Sequence, residues 1–226
     1  MEKIYSCSLK VLFYLVLTFL IICNIQYCFA EESSNDSITK DAAQSNEAAT
    51  AKAPDETTVD FAKGASGFHL DKAWKICDGE LQLIPNEITK SRFCWNILWD
   101  RAMINYQISV NVRWISGPDN SDYGLIFGYH PDSFFYALLI ALNNHVVLLK
   151  NVKGRWKSIK EVKNKTVSES YDNLKVICRD SSLQCFVNEQ KIFEIKDKTL
   201  LDDSYVGLCS SGEVQCGFKD FRLEKL

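Results

Sequence analysis

The chain has 226 residues, 46% of them apolar and 12% aromatic, with 26 basic side chains against 29 acidic and a net charge of −3. That is enough apolar surface for one sizeable core, and it excludes a collagen-like or wholly disordered chain. The charge is uneven: residues 31–60 carry eight acids and two bases, whereas residues 61–226 carry 22 bases and 20 acids, a balance that argues against nucleic acid as a partner.

Residues 1–30 read as a signal peptide. Lys3 and Lys10 precede the uncharged run VLFYLVLTFLIIC, and Cys28-Phe29-Ala30 supplies small residues at −3 and −1 of a cleavage site before Glu31. An uncleaved anchor is the alternative, since residues 11–30 are long enough to span a bilayer. No second run of spanning length follows, so the expectation is a protein without a membrane span once the signal is removed, secreted or extracytoplasmic, and in the periplasm or cell envelope of a bacterium. Residues 31–58 hold no aromatic residue and one large aliphatic, Ile38. They read as an acidic disordered linker, because so little apolar surface cannot offset the entropy of ordering it.

Residues 59–226 form one domain of ordinary size. Apolar runs recur at 68–76, 80–84, 93–98 and 104–115, then at 123–130, 134–142 and 145–150. They continue at 155–162, 173–179, 183–188, 191–195, 205–210 and 216–223, separated by turn signals such as His130-Pro131-Asp132-Ser133 and Asn143-Asn144. In 104–115, Ile104, Tyr106, Ile108, Val110, Val112 and Trp114 alternate with Asn105, Gln107, Ser109, Asn111 and Arg113, the period of a half-buried strand. The same alternation sends Leu125, Phe127 and Tyr129 inward and Gly124, Ile126, Gly128 and His130 outward. Phe135, Ala137, Leu139 and Ala141 face outward on the next strand. The predicted fold class is all-β, a two-sheet antiparallel sandwich.

The segments YGLIFGY, FFYALL, VVLLK, NLKVICR, QCFVNEQKIFEI, YVGLCSSG and CGFKDFRL together resemble the concanavalin A-like lectin/glucanase superfamily, and more narrowly its laminin G-like jelly rolls. The resemblance runs from about Trp74 to Leu223 and rests on fold-maintaining motifs, so it speaks to architecture more than to ligand. It implies two curved antiparallel sheets, a concanavalin A-like jelly roll, with ligand sites on the concave face or the loop rim.

The glucanase members of that superfamily carry a strand-borne E-x-D-x-x-E, which sets two carboxylates across a glycosidic bond. No such motif occurs here, nor G-x-S-x-G, H-E-x-x-H, a P-loop or G-x-G-x-x-G. The expectation is therefore no enzyme, and the resemblance, with a polar groove on one sheet, implies an exported, non-catalytic, carbohydrate-binding module. A glycoside hydrolase with acids outside the motif and a protein-interaction or envelope-assembly module are the alternatives. No catalytic residue, metal or cofactor is assigned. Calcium at Asp119-Asn120-Ser121-Asp122 has no more support than an oxygen-rich turn provides. Carbohydrate or glycoconjugate is the expected partner, with a protein partner as the second choice.

Beyond residue 30 lie six cysteines, Cys77, Cys94, Cys178, Cys185, Cys209 and Cys216. Behind a secretion signal an even number reads as disulfides. Cys209–Cys216 would staple a hairpin and Cys77–Cys94 would close a longer loop, whereas Cys178 and Cys185 would stand diagonal across a tight turn. Residues 150–165 are strongly basic around Trp156, which stands either as a surface platform or as a core plug. The expected ligand groove combines Asn111 and Arg113 on the polar side of one strand, His130 and Asp132 at the turn ending the next, and Trp156 nearby. It lies on the outer face of a single sheet, because glycans need planar hydrogen-bonding groups and an aromatic face.

Overall fold

The computed structural model describes residues 56–70, 72–89, 93–131, 133–164, 167–168 and 170–226, and the side chains of 99–101 and 201 are not among the parts described. The expected signal peptide, 1–30, and most of the expected linker lie outside these residues, as does Asp132.

Among the described residues are fourteen strands and two short 3-10 turns. The strands are β1 (Glu56–Val59), β2 (Trp74–Cys77), β3 (Glu80–Leu83), β4 (Phe93–Met103), β5 (Tyr106–Ser116), β6 (Tyr123–His130) and β7 (Phe134–Ala141). They continue as β8 (His145–Val152), β9 (Arg155–Lys163), β10 (Asp172–Arg179), β11 (Ser182–Val187), β12 (Gln190–Lys196), β13 (Ser204–Ser211) and β14 (Gln215–Lys225). Every pairing is antiparallel. An eight-stranded sheet runs β12-β11-β10-β5-β14-β3-β2, with β1 also on β14, and a six-stranded sheet runs β4-β13-β6-β7-β8-β9. This is the expected two-sheet jelly-roll sandwich. Within the run at 68–76 only Trp74–Cys77 is strand, while Phe68 is buried between Phe61 and Phe221. The expected linker boundary at 58 falls inside β1, whose Glu56–Val59 register against Glu224–Phe221 of β14.

The main core fills the space between the sheets. β5 sends in Tyr106, Ile108, Val110 and Val112, and these meet Leu125 and Phe127 of β6 and Tyr136, Leu138 and Ile140 of β7. At about 25 cal/mol per Å2 of apolar surface, each such side chain contributes about 1.5–3 kcal/mol of burial. The alternation breaks once, near the end of β6. Gly128 adopts φ 57 and the β6–β7 register shifts between Phe127 and His130. The buried Tyr106 hydroxyl accepts a 2.9 Å hydrogen bond from the Gly128 N–H, so the core itself holds this bulge in place. One extra residue reverses the facing of the two side chains after it. Tyr129, expected inside, joins an apolar cluster on the outer face, and His130, expected outside, stacks 4.6 Å from Phe134, which packs on the main core.

The expected cysteine pairings are not formed: none of the six described cysteines is in a disulfide. β13 and β14 are not a hairpin but belong to different sheets. Cys209 therefore sits in the outer cluster of one sheet and Cys216 in the main core. Cys77 and Cys94 are likewise divided between the two sheets. Cys178 faces Leu183 and Cys185 faces Val176, which leaves those two thiols diagonal as the spacing predicts. Burial pushes the Cys178 and Cys216 thiols up to about 12, so they act as small apolar side chains rather than nucleophiles. A thiol reagent at pH 8 should therefore label Cys77 in the native domain and reach all six cysteines beyond residue 30 only after denaturation. Fewer than six after alkylation-protected denaturation would restore a disulfide.

Candidate functional site

The structure divides the expected ligand residues between opposite sides of the molecule. Asn111 and Arg113 point from β5 to the outer face of the eight-stranded sheet. His130 and Trp156 belong to the six-stranded sheet. No single groove contains all four.

Arg113 is a clamp. Its Nε and Nη2 reach the Glu80 carboxylate at 3.1 and 2.9 Å, and Glu80 is only 3% exposed. The guanidinium also stands 5.4 Å from the Tyr171 ring. A buried carboxylate needs such a bidentate partner, so Arg113 serves first to hold the sheet. Asn111 donates to Asp220 at 2.8 Å and accepts from Asn173 at 2.9 Å, where it lines a polar trough on the same face. The His130 Nε2 is buried, with the ring stacked 4.6 Å from Phe134.

Trp156, by contrast, is a surface residue, 40% exposed, on edge strand β9. Its ring lies 5.2 Å from Phe135 of β7 and 5.0 Å from Phe93 of β4, the opposite edge strand. Flat strands at a spacing of about 4.8 Å would hold these edges about 24 Å apart, too far for two side chains to bridge. The sheet is therefore strongly curved, with its outer face concave. The floor of that concavity is Ile97, Ile126, Ala137, Leu139, Val147 and Cys209, and Phe93, Tyr129, Leu149 and Tyr205 pack against it. Trp95, 46% exposed, stands 6.0 Å from Phe135, which is also 5.6 Å from Tyr129. The result is a layer of aromatic rings with two tryptophans open to solvent. Trp95 is the residue that strand-by-strand reading missed.

At one end of this face His145 stands between two carboxylates, with Nδ1 3.5 Å from Asp122 and Nε2 3.2 Å from Glu161. Burial raises the Asp122 carboxyl pKa, and the nearby His145 partly offsets that. The Asp119–Asp122 turn thus directs Asp122 to an imidazole. Among the described residues, no group of three or more His, Cys, Asp and Glu is arranged to hold a metal ion.

A second charged cluster joins Lys150, Tyr136, Asp197 and Thr199 at the inner side of the six-stranded sheet. Lys150 Nζ is 2.7 Å from Asp197 and 4.7 Å from the Tyr136 ring, and the Tyr136 hydroxyl donates to the same carboxylate. Burial alone would raise the Asp197 carboxyl. Hydrogen bonds from Lys150, Tyr136 and Thr199 outweigh that effect and hold it well below the usual carboxylate range. Asp197 also caps the 3-10 turn Lys198–Leu201 through the Thr199 N–H, so the cluster is a clasp from that turn to β7 and β8.

No family model matches the chain, and no curated protein matches it either. Solved structures do resemble it. The carbohydrate-binding module CBM66 from Bacillus subtilis is 13% identical, with a TM-score of 0.60 over 70% of this chain and 96% of that one. A protein of unknown function with a galectin-like fold from Bacillus subtilis is 12% identical, with a TM-score of 0.57 over 72% and 91%. A Bacillus licheniformis beta-glucanase is 9% identical, with a TM-score of 0.53 over 68% and 82%. At these identities the likeness is one of fold.

The clasp yields a pH signature. A carboxylate whose pKa is depressed by folding stabilises the native state above its unfolded pKa, about 3.9, and that contribution fades as pH falls below it. Asp197→Asn should lower stability by about 2 kcal/mol at pH 7. The gap between wild type and variant should narrow below about pH 4, as measured by urea denaturation at both pH values. An undiminished gap at about pH 3 would place the loss in packing rather than charge.

Proposed function

We propose that the domain is an exported, non-catalytic carbohydrate-binding module whose ligand lies on the concave face of the six-stranded sheet. One observation carries this reading: the solvent-open pair Trp95 and Trp156, set in a continuous aromatic layer on that face. Sugar rings present C–H faces that stack on such platforms, and the amphipathic rings of Tyr129 and Tyr205 pack on the same face. A fold shared with a carbohydrate-binding module is consistent with this, as it is with the narrower laminin G-like resemblance. Export rests on the signal-like residues 1–30. The non-catalytic reading rests on the missing acid motif, and His145 engages two carboxylates of this sheet end, Asp122 and Glu161.

A glycan array followed by titration calorimetry tests the reading. Trp95→Ala and Trp156→Ala should each weaken glycan binding about tenfold. Because both rings are already half in water, the melting temperature should move little. Undiminished binding by the folded double variant would move the site off this face, and release of reducing sugar would replace the module with an enzyme.

A further inference from the structure

We infer that the outer face of the eight-stranded sheet is a second ligand surface, built for a short, linear, uncharged oligosaccharide. It lies on the side of the sandwich opposite the aromatic layer and shares no residue with it.

Two cavities of about 380 and 340 Å3 adjoin on this face, and Gln107 lines both. The register of β14, β5, β10 and β11 sets Glu224 beside Gln107, Gln107 beside Ile177 and Ile177 beside Gln184. A parallel row sets Arg222 beside Ser109 and Ser109 beside Lys175. Four strands at about 4.8 Å spacing make a trough about 15 Å long, enough for a few sugar units.

The lining has a fixed part and an open part. Asn173 donates to Asn111, which donates to Asp220, and Lys175 pairs with Glu189. These bonds hold the trough's side chains down before any ligand arrives. Asp220 takes φ 54 where the β14 register shifts between Lys219 and Arg222, so the strand is bent at the point where its carboxylate meets Asn111. Among the described residues, the side chains of Gln107, Ser109 and Arg222 have no hydrogen-bond or ion-pair partner. They offer an amide, a hydroxyl and a guanidinium in adjacent cross-strand positions, and Ile177 gives the trough an apolar strip. That mixture suits alternating hydroxyl and C–H surfaces. The carboxylates lining the larger cavity, Glu56, Glu189, Asp220 and Glu224, outnumber its cations Lys175 and Arg222, which disfavours a polyanion. A domain with two such faces joins two glycan chains.

The test uses the full chain and neutral linear hexasaccharides (β-1,3- and β-1,4-glucan, mannan and xylan), with calorimetry for affinity and amide exchange for location. One variant removes the aromatic platform, Trp95→Ala with Trp156→Ala. The other opens the trough, Gln107→Ala with Ser109→Ala and Arg222→Ala. The platform variant should still bind at least one hexasaccharide, with protection appearing on β5 and β10. Adding the trough substitutions should weaken that residual binding about tenfold or more. A platform variant that binds no hexasaccharide while wild type does would overturn the second surface and leave the concave-face reading standing. Binding unaffected by the platform substitutions but abolished by the trough substitutions would do the reverse. Wild type that binds none of the hexasaccharides would refute the ligand class inferred here, leaving the concave-face reading to the glycan array.

Discussion

The constraint on which the structure depends is that β7 is buried on both faces. Tyr136, Leu138 and Ile140 enter the main core, and Phe135, Ala137 and Leu139 enter the cluster on the outside. An antiparallel sheet ordinarily leaves one face to water and shows polar residues there. Here the outer face would expose Ile126, Leu139 and Val147 if the sheet were flat. Curvature resolves this. Bending the six strands until β4 and β9 carry Phe93 and Trp156 into contact lets aromatic rings cover the aliphatic floor. A concave aromatic surface is thus the folding solution for a two-sided apolar strand, and the proposed ligand platform would grow out of that packing.

The fold class is legible because strand periodicity survives in single segments. Most of the strands can be read within a few residues from alternation and turn signals, and Tyr106–Ser116 shows why: its first four inward residues are buried and their neighbours are not. The site is less legible, since alternation assigns a side chain to one face of its own strand but does not say which sheet holds the strand. β5 and β6 are consecutive, and reading them as one sheet puts Asn111 and Arg113 beside His130, yet the connection through residues 117–122 crosses between sheets. That single crossing separates Asn111 and Arg113 from Trp156. The same difficulty makes β13 and β14 read as a hairpin and suggests the Cys209–Cys216 bridge. Two signals point to the true arrangement. Residues 93–98 carry large apolar residues on both faces of the strand, Phe93, Trp95 and Ile97 against Cys94 and Leu98, with Asn96 the one polar residue among them. The outward set on β6 and β7 is also aliphatic rather than polar. Neither is compatible with a polar groove on that sheet.

The Gly128 bulge is not readable, because a glycine in an alternating run is as consistent with regular strand as with an inserted residue. What decides it is long-range: the Tyr106 hydroxyl, buried from the other sheet, needs partners and finds the Gly128 N–H and, at 3.4 Å, the Ser204 hydroxyl. Satisfying one phenol in the core therefore moves Tyr129 to the outer surface and His130 away from it. Core chemistry on one sheet edits the surface chemistry of the other.

The two outer faces end up chemically opposite. The concave one is aromatic and aliphatic, with His145, Asp122 and Glu161 grouped at one end. The other is carpeted with amides, hydroxyls and mixed charge, tied down by Arg113–Glu80 and the Asn173–Asn111–Asp220 chain. Glu80 explains why the second face could be so polar without destabilising the sandwich. Its buried carboxylate also lies where a side chain on Gly217 would meet it, since a Cβ there would come within 2.5 Å of its Oε2. Glycine at 217 leaves room for the carboxylate, the carboxylate orients Arg113, and the guanidinium stands near the Tyr171 ring at the margin of the sheet. A polar face tied together in this way holds its side chains in place, and such preorganisation is what the proposed second ligand surface would need.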